Sequence, residues 1–359
     1  MAEQLQYFLG ANSAQGFFSL YETLLPPGQA ERIFLIKGGA GCGKSTLMRT
    51  VGHALEAQGR TIEYIPCSGD PDSLDGVYDA GAGLLLVDAT APHAMDARYG
   101  GITERYVDLS VCYDMDAMKR QREKLLSLSD AYRACYERAW RWLASEAGMY
   151  GDGRAMLLTE ETRRKMARRA RGILNRECRR RGREPGQVSC RFLSAVTCRG
   201  EVICIGTVRV LCPRLYGMED IFGLSDSFLR QLRDGAAAAG HDVICCPSPL
   251  EPERLEHLLL PGLGLGFVNQ RALPEGESFY RRIRFDAMPE AETLRTRRRC
   301  LRFLRRSAAL LRENAVEELR EAKALHDELE ACFNPHVDFD RVGQITAAVE
   351  REVLSLLPD

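Results

Sequence analysis

The chain has 359 residues, 45% of them apolar, with 49 Lys or Arg against 50 Asp or Glu and a net charge of −1. That length suggests two domains, and the balanced charge excludes a global pull toward nucleic acid or a membrane surface, so such partners would need a local patch. Thirteen cysteines without CxxC spacing, scarce histidine and an N-terminus, MAEQLQYF, without a basic-then-apolar leader read as a reduced cytoplasmic protein with no zinc knuckle. The longest apolar stretches fall well short of the roughly 20 residues of a membrane-spanning helix.

In chain order, the first informative stretch is LIKGGAGCGKSTLM, residues 35–48. Gly38, Gly43, Lys44 and Ser45 fit G-x-x-x-x-G-K-[ST]. The run Arg32 to Ile36 before them reads as a strand, and Ser45 to Ala57 after them as a helix. In that context the backbone N–H groups of Gly38, Gly39, Ala40, Gly41, Cys42, Gly43, Lys44, Ser45 and Thr46 would face phosphate oxygens. Lys44 would neutralise β/γ charge, and the Ser45 hydroxyl would ligate Mg²⁺ at the positive end of the helix. Cys42 reads as a small loop filler or, near a helix N-terminus, as an oxidisable thiol. Lys37 is out of register for a second cradle lysine and reads as the strand end. Further along, Asp70, Asp72 and Asp75 in SGDPDSLDG read as the cap and first turn of a helix with Pro71 at its first position, or as a metal or substrate cluster. Leu84 to Val87 form a short buried parallel strand ending in Asp88, the acid expected to hold the magnesium water. Ala89 follows it, so a water-orienting residue must come from elsewhere, with Thr90, His93 and Asp96 as candidates.

The chain repeats itself. A shift of 181 sets Gly59 on Gly240, Pro66 on Pro247, Leu74 on Leu255, Gly81 on Gly262 and Val87 on Val268, and a shift of 184 sets FLGANSAQG on FLSAVTCRG. At the first offset GGAGCGKST faces EDIFGLSDS. Lys44 becomes Ser225, Ser45 becomes Asp226 and Asp88 becomes Asn269, while Glu219, Asp220 and Asp226 add charge that would repel a triphosphate. Only the first cradle is expected to bind nucleotide.

Beyond the strand candidate RYVDLS, Asp114 to Gly148 carries a helical apolar stripe through Leu125, Leu128, Tyr132, Cys135, Ala139 and Trp142. A longer one runs from Glu290 to Phe333, broken at Asn334-Pro335, before a last helix near Asp340 to Leu357. Residues 151–190 hold 12 Arg or Lys against 5 Asp or Glu, a local +7. Met166, Ala170, Ile173, Leu174 and Cys178 give this segment an apolar face. The arginines of 163–183 on its other faces could meet nucleic acid, an anionic surface or the second unit, or close over ATP as a lid.

Together FLGANSAQGF, KGGAGCGKSTLM, CSGDPDSLDGV, VDATAPH, AKALHDELE and VDFDRV resemble an uncharacterised bacterial family of tandem P-loop ATPases. The resemblance implies two P-loop-type units, ATP as ligand and Gly38 to Thr46 as its site. The expected fold is α/β: two tandem P-loop NTPase-like parallel-sheet units from a duplication, with long helical extensions and a degenerate second unit. The expected division is residues 1–150 for the first domain, 151–188 for a basic helical linker and 189–359 for the second domain. No N/T-K-x-D motif reads guanine. The expected activity is therefore Mg-dependent ATP hydrolysis with Lys44 and Asp88 catalytic and Ser45 and Asp88 on the metal. A kinase for a small acceptor and a non-hydrolysing ATP sensor or scaffold are the alternatives.

Overall fold

A computed structural model describes residues 4–24, 30–91, 95–182, 184–273 and 276–357. The first part of the chain forms β1 (Leu5–Gln6), β2 (Gly10–Ser13), β3 (Gly16–Ser19), α1 (Tyr21–Leu24), β4 (Arg32–Lys37), α2 (Lys44–Ala57), β5 (Glu63–Pro66), β6 (Leu74–Asp79), β7 (Leu84–Asp88) and β8 (Glu104–Asp108). Helices α3 (Met115–Arg120), α4 (Arg122–Leu157) and α5 (Glu160–Glu177) follow. The second part forms β9 (Val188–Cys190), β10 (Ser194–Thr197), β11 (Gly200–Ile203), α6 (Ile205–Leu211), β12 (Arg214–Glu219), α7 (Asp226–Ala238), β13 (Val243–Pro247), β14 (Leu255–Leu260), β15 (Leu265–Asn269) and β16 (Arg281–Arg284). It closes with α8 (Ala291–Phe333) and α9 (Phe339–Ser355).

The duplication is visible in the topology. One sheet runs β1-β5-β6-β7-β4-β8 and the other β9-β13-β14-β15-β12-β16, the same order with the same strand directions. The hairpins β2-β3 and β10-β11 sit 184 residues apart at each of their ends. Neither sheet is wholly parallel: β6 runs against β5 and β7, and β14 against β13 and β15. Connection length is the reason. Residues 67–73 and 80–83 are too few for a crossover, which takes a dozen or more, so each link closes an antiparallel pair.

That geometry corrects the reading of SGDPDSLDG. Its acids do not cap a helix. Ser73 N–H bonds the Asp70 carbonyl at 2.9 Å and Asp72 N–H the Asp70 carboxylate at 3.2 Å, making a tight turn straight into β6. The long helix expected from Asp114 is instead capped by Asp114, breaks at Gln121 and runs on to Leu157.

Two compact units emerge, each composite in sequence. Unit 1 comprises 1–10, 19–138 and 317–359, and unit 2 comprises 11–18 and 139–316. The amphipathic faces explain the assignment. In unit 1, Val349 and Val353 of α9 join the core made by Leu47, Met48, Val51 and Leu55 of α2 with Phe34, Ile36, Leu84 and Leu86 of the sheet. In unit 2, α5 packs on α7, burying Met166, Ala170 and Ile173, and the Leu174 side chain lies where a Cβ on Gly235 would be. The end of α8 from residue 317 and all of α9, grouped with the second stretch in the sequence reading, thus belong with the first cradle, while the start of α8 and the basic helix belong to unit 2. Its Arg163, Arg164, Arg168, Arg169 and Arg171 are exposed. Among the described residues no helix is long and apolar enough to cross a membrane.

Candidate functional site

In unit 1, β4 delivers the chain into the glycine loop between two parallel neighbours, β7 and β8. Gly41 and Gly43 take φ of +67° and +87°, the left-handed region that side chains resist. Crowding adds a second reason for glycine: a Cβ on Gly41 would fall on Asn334 Oδ1, and one on Gly43 would stand 3.1 Å from Val342. The loop therefore lies against the start of the C-terminal arm, while Tyr113 and Phe333, 5.3 Å apart between ring centres, close on Gly39. Cys42 is 1% exposed and packs in the core, which makes it a filler.

Lys44 spans the loop. Its Nζ donates to the carbonyls of Gly38 at 2.8 Å and Gly39 at 2.9 Å and stands 3.5 Å from the Asp88 carboxylate. Asp88 ends β7 directly opposite Ile36, 9% exposed, with Oδ1 accepting from the Thr90 amide at 2.9 Å and hydroxyl at 2.5 Å. Ser45 Oγ accepts from the Leu74 amide at 3.0 Å, which fixes it at the head of α2, and Thr46 beside it is exposed. The structure thus brings Lys44, Ser45 and Asp88 to one end of the sheet. Lys37 is not among them, since its Nζ bonds the Ala89 and Met95 carbonyls.

Of the candidates for orienting water, Thr90 commits its hydroxyl to Asp88. Asp96 is exposed and lies near Lys37 and Tyr106. His93 lies outside the described residues.

Sequence reasoning missed what stands behind the acid. Asp75 on β6 is 4% exposed, and with Tyr21, Cys67, Tyr132 and Tyr136 it backs the site. Burial raises the Tyr21 hydroxyl well above its ordinary pKa, and the charges of Asp75 and Asp88 add to it. Burial, then Asp75, does the same to the Cys67 thiol, and burial pushes Tyr132 up to about 12. The aspartate cluster is therefore split: Asp70 stands 3.5 Å from Lys323, and Asp75 faces inward. LDGVYD shows no apolar-polar alternation, and because all six residues of β6 are buried, the sequence carried no periodic signal for an inward-facing acid.

Unit 2 repeats the frame with different chemistry. The pairs Phe34–Leu86 and Tyr216–Phe267 place β12 182 residues after β4, whereas the helix-closing bonds Arg60 N–H to Leu55 O and His241 N–H to Ala236 O are 181 apart. The second loop is therefore one residue shorter than the first. In helix register Leu224 and Ser225 correspond to Gly43 and Lys44. Asp226 Oδ1 accepts from the Leu255 amide at 2.8 Å, just as Ser45 accepts from Leu74. Asn269 stands where Asp88 does, its Nδ2 donating to the Asp220 carbonyl at 3.1 Å and to Glu256 at 3.2 Å.

A shallow, open recess faces this loop. Four arginines (154, 254, 271 and 312) and four acids (201, 220, 251 and 256) line it, so its charges cancel. Arg154 forks onto Glu251, and Arg312 bonds Glu146 at 2.6 Å and Glu201 at 3.2 Å. Burial, then Glu201, pushes the Glu256 carboxyl up to about 7. Burial pushes Asp286 up to about 7 and His257 down to about 4.

Residues 19–84 match the family model described as Nephrocystin 3, N-terminal, a stretch that takes in the glycine loop and α2 and ends at the first residue of β7. The match lends no support to the bacterial tandem ATPase resemblance. Comparisons with curated proteins and with solved structures give no match.

Proposed function

We propose that unit 1 binds ATP with Mg²⁺ and hydrolyses it slowly. The observation that carries this is Lys44, held between the carbonyls of Gly38 and Gly39 and the Asp88 carboxylate. A lysine there meets β/γ charge, while amides at the head of the 14-residue helix α2 meet the phosphates. The residues fit a magnesium ion: Ser45 at the head of α2 and Asp88 at the end of β7 offer hard oxygens, and glycines leave the loop backbone open. Bound there, the ion would neutralise charge on the phosphate oxygens.

This chain's own groups do the rest. Lys44 would exchange its loop carbonyls for phosphate oxygens, and Thr90 holds Asp88 in place. No acid follows Asp88, and no arginine is assigned to the site. Since an arginine finger contributes on the order of 10³ to 10⁵ in rate, turnover without one is expected to be slow. The resemblance to tandem P-loop ATPases supports the same reading.

A second reading, an ATP-dependent sensor, is favoured by the contact of Asn334 and Val342 with the loop glycines. Phosphate entering the loop would be registered at α9. Mg-ATP binding and ADP release, measured for the wild type and Lys44→Ala, separate the readings. Turnover abolished by the substitution supports the hydrolase, binding without turnover supports the sensor, and no binding by the wild type removes both.

A further inference from the structure

Reading residues 38–46 as a phosphate cradle has a consequence for its shortened counterpart in unit 2. We propose that the second cradle is filled from within: the carboxylate of Asp220 occupies the position that phosphate would take, so unit 2 keeps a ligand-bound loop conformation without a ligand.

Asp220 is 1% exposed. Its Oδ1 accepts from the Leu224 amide at 2.7 Å and its Oδ2 from the Ser225 amide at 2.8 Å. These amides correspond to those of Gly43 and Lys44, the donors at the head of the helix that would hold phosphate in unit 1. One residue before Leu224, Gly223 at φ +71° turns the chain so that both N–H groups converge. The Ile221 amide is taken as well, 3.1 Å from both oxygens of Asp286.

Two carboxylates thus satisfy three loop amides. Charge-assisted bonds of this length are the strong kind, and the 13-residue helix α7 behind them favours a negative group at its N-terminus. The lost lysine fits the same arrangement. A carboxylate carries less charge than a di- or triphosphate, and Ser225, 2% exposed, replaces the cation without leaving it uncompensated. The acids of this loop therefore do more than repel an incoming phosphate, because one of them is already in its place.

The test uses the full chain carrying Lys44→Ala, which silences the first cradle, with and without Asp220→Gly, titrated with pyrophosphate by calorimetry. The expected result is no site in the Lys44→Ala parent and one saturable, chelator-insensitive site per chain in the double variant. A parent that already binds pyrophosphate at residues 220–226, or a folded double variant that gains nothing, overturns the proposal.

Should Asp220→Gly fail to fold, amide exchange of the wild type decides. Leu224 and Ser225 are expected to exchange slowly without ligand and to be unchanged by pyrophosphate, and fast exchange that slows on adding it refutes the internal occupant. Gly43 and Lys44 amides that ignore Mg-ATP would sink the proposed ATP site alone.

Discussion

Gly41→Ala tests whether the first loop is held open by backbone conformation and by the C-terminal arm together. At φ +67° an alanine costs about 1–2 kcal/mol in left-handed strain. Its Cβ would also fall on Asn334 Oδ1 and lie 3.4 Å from Glu330 Cβ. Asn334 is exposed and can swing aside at about 0.5–1.5 kcal/mol for leaving its rotamer. The single substitution should therefore cost about 2–3 kcal/mol locally. Adding Asn334→Ala should recover the crowding part and leave about 1–2 kcal/mol, and Asn334→Ala alone should cost less than about 1 kcal/mol. Native-state amide exchange of α2 reads these local values, because both tryptophans lie in unit 2 and fluorescence would not report them. Mg-ATP affinity should fall at least tenfold for Gly41→Ala. Exchange and affinity both unchanged would refute the view that these two constraints shape the loop.

Asp88→Asn should abolish magnesium-stimulated ADP release while leaving metal-free nucleotide binding within about threefold, measured by equilibrium binding with and without chelator. Arg312→Met strands Glu146, whose side chain is 1% exposed, and should destabilise unit 2 by about 3–5 kcal/mol in urea, with Glu146→Gln restoring part of it. Glu256 and Asp286 give a pH signature. Their folded pKa values, about 7, stand above the ordinary 4.5 and 3.8, so the folded state holds the extra protons, and stability from these groups is present below about pH 4 and lost as pH rises through 7. Glu256→Gln should then gain stability relative to the wild type at pH 8 and not at pH 5. His257, lowered to about 4, works oppositely, adding stability as pH rises from 4 to 6.5, so the comparison must be made between variants and not along one curve.

The loop, its flanking strand and helix, and Asp88 were legible because each is encoded locally: glycines at the turns, a lysine at fixed spacing, four apolar residues before an acid. The duplication was legible because identities clustered at two nearby offsets, 181 and 184. The single-residue shortening before Asp226 was not, since an ungapped comparison hides a deletion inside a loop of small residues. Helix partners were not legible either. In the structure Val342, Val349 and Val353 form the buried face of α9, but such a face carries no address in the sequence, and α2 or α7 would each accept it. The turn at Asp70 was misread because Asp-Pro followed by acids suits a helix start and a tight turn equally, and only the seven-residue distance between strands decides.

The last segment of unit 1, residues 317–359, follows 178 residues of unit 2 in the chain. At roughly 5–20 residues per second, a ribosome needs about 10–40 s to pass from Ala139 to Val316. During that interval the face of α2 that will receive Val349 and Val353 has been made and its cover has not. The nascent N-terminal segment therefore spends its first half-minute with a hydrophobic groove open, a window in which chaperones have something to hold. A message truncated within α8 would yield a chain that has the whole glycine loop and lacks its lid.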